Sequence, residues 1–102
     1  MIGDVDIFDH TIIGSGVELI NGDQQHYFEK TDVLIKEQGG RYPKITIGED
    51  CWIGDGALVM AHVGKKSVIG ARSVVHKDIP EWSVAVGCPA RVVRSRKPSS
   101  TA

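Results

Sequence analysis

The chain reads as all-β, a parallel β-helix in which short strands and turns wind around a triangular core. Aliphatic residues recur at every sixth position, at Ile47, Ile53 and Val59, then, after a slip of two residues, at Val63, Ile69 and Val75. The N-terminal part keeps the same spacing at Met1, Ile7, Ile13 and Leu19. A small residue stands four places on at Thr11, Val17, Cys51, Ala57, Ser67 and Ser73, and Gly follows the aliphatic residue at Gly14, Gly48, Gly54, Gly64 and Gly70. A period of six fits neither an α-helix nor a strictly alternating strand. It fits a coil of three six-residue faces, about eighteen residues per turn, whose aliphatic residues point inward and stack. The recurrent Gly suits either a turn with unusual backbone angles or crowding between coils.

Residues 1–23 supply just over one coil. Residues 24–43 lose the spacing and run from Gln24-Gln25-His26-Tyr27-Phe28 to Gly39-Gly40-Arg41-Tyr42-Pro43. A break of this length inside a compact domain predicts a functional excursion, and Tyr27, Phe28 and Tyr42 predict that it packs on something. Residues 44–79 hold the cleanest repeats, with one turn shortened after His62. Asp78-Ile79-Pro80 predicts the end of the coil, because Pro removes a ladder donor. Residues 81–94 form an irregular cap holding Trp82, Gly87-Cys88-Pro89-Ala90-Arg91 and a last strand at Val92-Val93, and 95–102 read as a disordered tail. The domain is thus 1–94, with the chain supplying about five coils.

With 102 residues, twelve basic and thirteen acidic, the formal net charge is −1. That balance makes no electrostatic case for a nucleic-acid partner. The local excess of Arg91, Arg94, Arg96 and Lys97 is either a solvated C-terminus or a phosphate-binding cluster. No apolar stretch reaches membrane-spanning length and no signal peptide is visible, so membrane insertion is not expected and a cytoplasmic location is the default. Cys51 and Cys88 form no CxxC pair; Cys51 occupies a small-residue position, where a thiol packs as a small apolar group. Because a short array leaves its ends and faces poorly covered, association is expected.

Ile47-Gly48-Glu49-Asp50-Cys51-Trp52-Ile53-Gly54, Val68-Ile69-Gly70-Ala71-Arg72-Ser73-Val74-Val75-His76-Lys77-Asp78-Ile79-Pro80 and Val86-Gly87-Cys88-Pro89-Ala90-Arg91-Val92-Val93 resemble the hexapeptide-repeat acyltransferases. The resemblance runs from about residue 44 to 94 and is weaker upstream. It points to the branch with sugar, maltose and galactoside O-acetyltransferases. It implies a left-handed β-helix, acetyl-CoA as co-substrate, a sugar hydroxyl as acceptor with no metal, and a homotrimer with active sites between neighbouring prisms. It also implies a long loop reaching the adjacent subunit, where 24–43 stands.

Acetyl transfer to a hydroxyl needs a general base, for which His is the usual choice, and a donor for the developing oxyanion. The family's base follows the strand that launches the loop, which favours His26. The family's usual position, three residues after Ile20, holds Asp23 here. Asp23 or Glu29 could orient the His26 ring. By the same resemblance Trp52 flanks the acceptor or the pantetheine arm, or packs between prisms, and the backbone N–H near Asp55 faces the thioester oxygen. Ala71 allows close backbone approach to pantetheine. Lys77, Arg91 and Arg94 meet the CoA phosphates, and His76 lines the cofactor cleft or faces solvent. Arg72 stands where relatives often carry Gly, and either narrows the groove or contacts phosphate. His62 reads as a surface turn residue. His10 reads as structural, with the acceptor pocket as its other place. Two alternatives accompany this reading. One is a non-catalytic or truncated trimeric relative. The other is a γ-carbonic-anhydrase-type zinc hydratase, whose three-His site the spacings of His10, His26, His62 and His76 do not suit. Amino-group acceptors are a variant of the first reading.

Overall fold

The computed structural model describes residues 3–98. Its first pass lays down β1 (Val5–Ile7), β2 (Ile12–Ile13) and β3 (Glu18–Leu19). The second lays down β4 (Ile45–Ile47), β5 (Trp52–Ile53) and β6 (Leu58–Val59). The third enters at Val63 and adds β7 (Val68–Ile69) and β8 (Val74–Val75). A fourth begins at Ile79 and β9 (Ser83–Gly87), then folds back as β10 (Ala90–Ser95). The described residues thus hold three complete passes and part of a fourth, fewer than the five coils expected.

Each pass visits three sheets in turn, and all pairings but one are parallel. The first sheet is β1–β4, extended by bridges from Ile47 to Val63 and from Val63 to Ile79. The second is β2–β5–β7–β9, with β10 antiparallel on its edge. The third is β3–β6–β8. Inward residues stack in register: Ile13 on Ile53 on Ile69 on Ala85, and Leu19 on Val59 on Val75. Leu19, Ile47, Ile53, Val59, Ile69 and Val75 are wholly shielded from solvent, and this apolar burial is the main driving force for the fold.

Two expectations about the coil are corrected. Trp52 pairs with Val68, and Val68 with Val84, so the repeat is sixteen residues rather than eighteen. The short step from Val59 to Val63 is not a single deletion; it recurs from Val75 to Ile79. Nor does Pro80 stop the winding, since Ile79 bridges Val63 and β9 continues the second sheet. The equivalent Gly48 and Gly64 amides donate one pass upward, to Val63 O and Ile79 O. Pro80 sits in the last pass, where such an N–H would have no coil above to meet, so its missing donor costs little.

The glycines after the aliphatic positions serve crowding, not unusual φ. A Cβ on Gly48 would lie 2.5 Å from Lys65 N, and one on Gly54 2.6 Å from Ala71 N. Left-handed backbone falls two residues later in each turn, at His10, Gly16, Asp50, Gly56, Lys66, Arg72 and Trp82. The small-residue corner is a ladder of side-chain donors. Thr11 Oγ1 donates to Gly48 O at 2.8 Å, Cys51 Sγ to Gly64 O at 3.3 Å and Ser67 Oγ to Pro80 O at 3.0 Å. Burial pushes the Cys51 thiol up, which suits a packed donor and not a nucleophile.

The cap is a β-hairpin. Val92 and Val93 lie within β10, and Ser95 pairs with Ser83, so pairing runs past the boundary expected at 94. Arg96 Nη1 donates to Lys66 O at 2.6 Å; positions 99–102 of the expected tail lie outside the described residues. The excursion carries one 3-10 turn, Ile35–Glu37. Its neck is closed by Arg41 N to Gln24 O and Tyr27 N to Gly39 O. Gln38 Nε2 gathers its interior by donating to Lys30 O and Val33 O. Tyr27 is half-buried, but Phe28 and Tyr42 stay 66% and 58% exposed; the packing expected of those two aromatics is not found within this chain.

Candidate functional site

Most of the candidate side chains gather at two corners. Where the second sheet turns into the third, Trp52, Gly54, Asp55, Val68, Gly70 and Ala71 line a crevice of about 230 Å³. Trp52 is 55% exposed because its strand partner in sequence, Ile53, takes the inward place. Asp55 is held by its side chain, since Ser15 N donates to Asp55 Oδ1 at 2.9 Å. The sequence-expected trio Trp52, Asp55 and Ala71 therefore shares one cleft, with Arg72 exposed beside it in the same turn.

Arg91 and Arg94 would point to opposite sides of an unbroken strand, because alternation separates residues three apart. A register shift between Val92 and Arg94 changes that. Arg91 pairs with Val86 and Arg94 with Val84, two residues apart on β9. Directly opposed residues share a sheet face, and Val84 is in register with Val68 and Trp52. The bulge thus brings both guanidinium-bearing residues onto the outer face that carries Trp52. Sequence reasoning paired these arginines but had no signal for the bulge.

The second corner is where the third sheet turns into the first. Ile20, Gly22, Asp23, Gln25, His26 and Met60 line a cavity of about 290 Å³. Beside it lies a cavity of about 330 Å³, lined among others by Asp23, Arg41, Met60, His62, His76 and Asp78. His26 is exposed at the neck of the excursion, and Asp23 borders both cavities. His76 is half-buried and joins His62 and Asp78 here, not the Trp52 crevice. Lys77 is exposed next to it, and Glu29 lines a separate cavity inside the excursion. None of these cavities holds both His26 and Trp52.

Two positions bordering this corner carry hydrogen bonds that sequence reasoning did not anticipate. His62 is exposed in the turn after β6, where Thr46 N lies 3.0 Å from its Nδ1 and its own N donates to Asp78 Oδ1 at 3.0 Å. A backbone N–H can only donate, so Nδ1 is the acceptor and the neutral ring carries its proton on Nε2. Asn21, 8% exposed, ties the root of the excursion to β1, donating to Asp4 O and Pro43 O. Its signal was an Asn before Gly22 where the hexads lapse.

No family model matches the chain. It is 37% identical over 99 residues to a galactoside O-acetyltransferase of Lactococcus lactis, which covers 92% of this chain and 45% of the relative. It is 52% identical over 60 residues to a serine acetyltransferase of Bacillus pumilus, covering 57% of this chain and 27% of that one. Among solved structures, a galactoside acetyltransferase in complex with coenzyme A superposes with a TM-score of 0.78 and 35% identity, over 94% of this chain and 48% of that one. By sequence and by fold, this chain is a relative of the hexapeptide-repeat acetyltransferases. A protein of Vibrio cholerae bearing that description, solved with acetyl coenzyme A, matches with a TM-score of 0.73 at 26% identity, over 93% of this chain and 55% of that one. The chain spans about half or less of each of these proteins. No helix of the described residues is long and apolar enough to cross a membrane.

Proposed function

We propose that this chain is an acetyl-CoA-dependent O-acetyltransferase for a sugar hydroxyl, built as a left-handed parallel β-helix over 1–94 and working as a homotrimer in the cytoplasm. The observation that carries this reading is the crevice joining Trp52, Asp55 and Ala71, on a chain that follows a CoA-bound galactoside acetyltransferase along 94% of its length. The acetyl-pantetheine end lies in that crevice, where Ala71 presents no bulk. Arg91 and Arg94, sharing Trp52's face, hold phosphate oxygens through their fork-shaped donors, whereas Lys77 stands at the other corner, between His76 and Asp78.

His26 takes the proton from the acceptor hydroxyl as its oxygen attacks the thioester carbonyl. The Asp55 N–H donates to the oxyanion that forms. Collapse of the tetrahedral intermediate breaks the C–S bond, and the leaving sulfur receives the proton from His26. His26 and Trp52 occupy different corners of one chain, so a neighbouring copy must bring them together, and the exposed Phe28 and Tyr42 of the excursion suit that contact.

Thiol release from acetyl-CoA, measured with methyl galactosides, maltose and L-serine, tests the reading. We expect turnover with a sugar and a loss in kcat of about 10²-fold or more in His26→Ala. An undiminished rate in that variant removes His26 as base. Silence of the wild-type protein with every sugar leaves the non-catalytic reading. A preference for L-serine would favour a second reading with the same chemistry, which the 52% identity to a serine acetyltransferase motivates.

A further inference from the structure

The larger cavity at the second corner is not accounted for by acetyl transfer as described. Buried Ile45 and Ala61 and half-buried Met60 give its lining an apolar base, and polar side chains line it on several sides. The polar residues come from separate passes: Asp23 and Arg41 from the two ends of the excursion, His62 from the turn after β6, and His76 and Asp78 from the turn after β8. His62 is fixed by the Thr46 N–H on Nδ1, which leaves its Nε2–H as a free donor. Asp78 is fixed through Oδ1 by the His62 N–H, which leaves Oδ2 as an acceptor. A lining with anchored donors and acceptors and an apolar base matches a ring that has hydroxyls at its edge and C–H bonds on its face. At about 330 Å³ the space is at the small end of ligand pockets and suits one ring.

Resting on the proposed acetyltransferase reading, we propose that this cavity seats the acceptor as a single hydroxyl-bearing ring, with His62 Nε2–H and Asp78 Oδ2 as its specificity-determining contacts. The seat adjoins the His26 cavity through Asp23, Gly22 and Met60, so a hydroxyl on the ring's near edge can face the base. The contacts with His62 and Asp78 form in the ground state, and they set acceptor affinity more than the chemical step.

The two residues can be altered without unseating their neighbours. In His62→Asn the amide oxygen can still accept from Thr46 N, but the Nε2–H is lost. In Asp78→Asn the carbonyl oxygen can still accept from His62 N, but the charge is lost. Binding of methyl β-galactopyranoside and methyl α-glucopyranoside is read by saturation-transfer NMR on the full chain without acetyl-CoA. Acceptor KM is read by thiol release, and folding by the melting temperature. The expected result is glycoside binding to wild type, lost in both variants at an unchanged melting temperature, with KM raised about tenfold or more and kcat within threefold. Glycoside binding or KM within twofold of wild type in both variants overturns the seat while leaving acetyl transfer standing. Wild-type silence in thiol release sinks the acetyltransferase reading instead. In that case NMR alone decides the seat: binding lost in both variants supports it, and absence of binding to wild type overturns it.

Discussion

The outer surfaces of the first and second sheets lie over the same stacked core yet carry opposite chemistry. On the first, Asp6, Thr46, His62 and Asp78 occupy successive rungs, with Thr46 N donating to His62 Nδ1 and His62 N to Asp78 Oδ1, so that polar groups face outward all along it. Lys44 adds an ion pair to Asp6 at 3.1 Å, which raises the lysine's own pKa through the hydrogen bond and the charge of Asp6. On the second, Ile12, Trp52, Val68 and Val84 form an apolar stripe, Ile12 being 64% exposed, and the stripe ends at Arg91 and Arg94. The inward half of the repeat is one rule applied to every face. The outward half records what each face meets.

The widest blow to that comparison is Gly54→Val, because both faces rest on the packing it disturbs. Its Cβ would press on Ala71 N, so urea denaturation should show a stability loss of about 3 kcal/mol, with the crevice and the first face lost together. A stable, CoA-binding variant would mean that the passes are not closely stacked. Next, the double change Arg91→Ala with Arg94→Ala should weaken CoA binding by calorimetry about 10- to 100-fold. The matched pair Asp6→Asn with Lys44→Met on the first face should leave that affinity unchanged. Equal losses from both pairs would erase the distinction between the faces. The smallest effect is a gain. Arg72 holds φ +58 in a turn where the equivalent residues of the two passes below are Gly16 and Gly56. Arg72→Gly should raise the unfolding free energy by about 1 kcal/mol, read as a higher urea midpoint with no change in slope.

The core was legible because Ile47, Ile53, Val59 and their successors repeat without exception, and burial demands that repetition. The coil length was not, because a four-residue step seen clearly between Val59 and Val63 looks like an accident until Val75 and Ile79 repeat it. Pro80 misled for a related reason: it breaks ladders, but only where a partner strand follows. Trp52, Asp55 and Ala71 were legible through the family resemblance alone, because the stacking of Ala71 over Asp55 follows from the sixteen-residue repeat that the spacing had not revealed. The grouping of His76 with His62 was not, since it depends on where the short turns stack. The Val93 bulge has no residue signature at all. The fold of the excursion rests on Gln38 and on Gly40, where a Cβ would strike Gln25 O, and single polar contacts of that kind leave no period to read.

Parallel stacking also makes the prism a ruler. Trp52 on β5 and the arginines on β10 are separated by three strand spacings, or about 14 Å. Inserting a sixteen-residue rung between them would lengthen that reach by about 4.8 Å and leave both ends intact. Span along this protein can therefore change only in whole steps, and the distance a ligand must bridge is counted, not tuned.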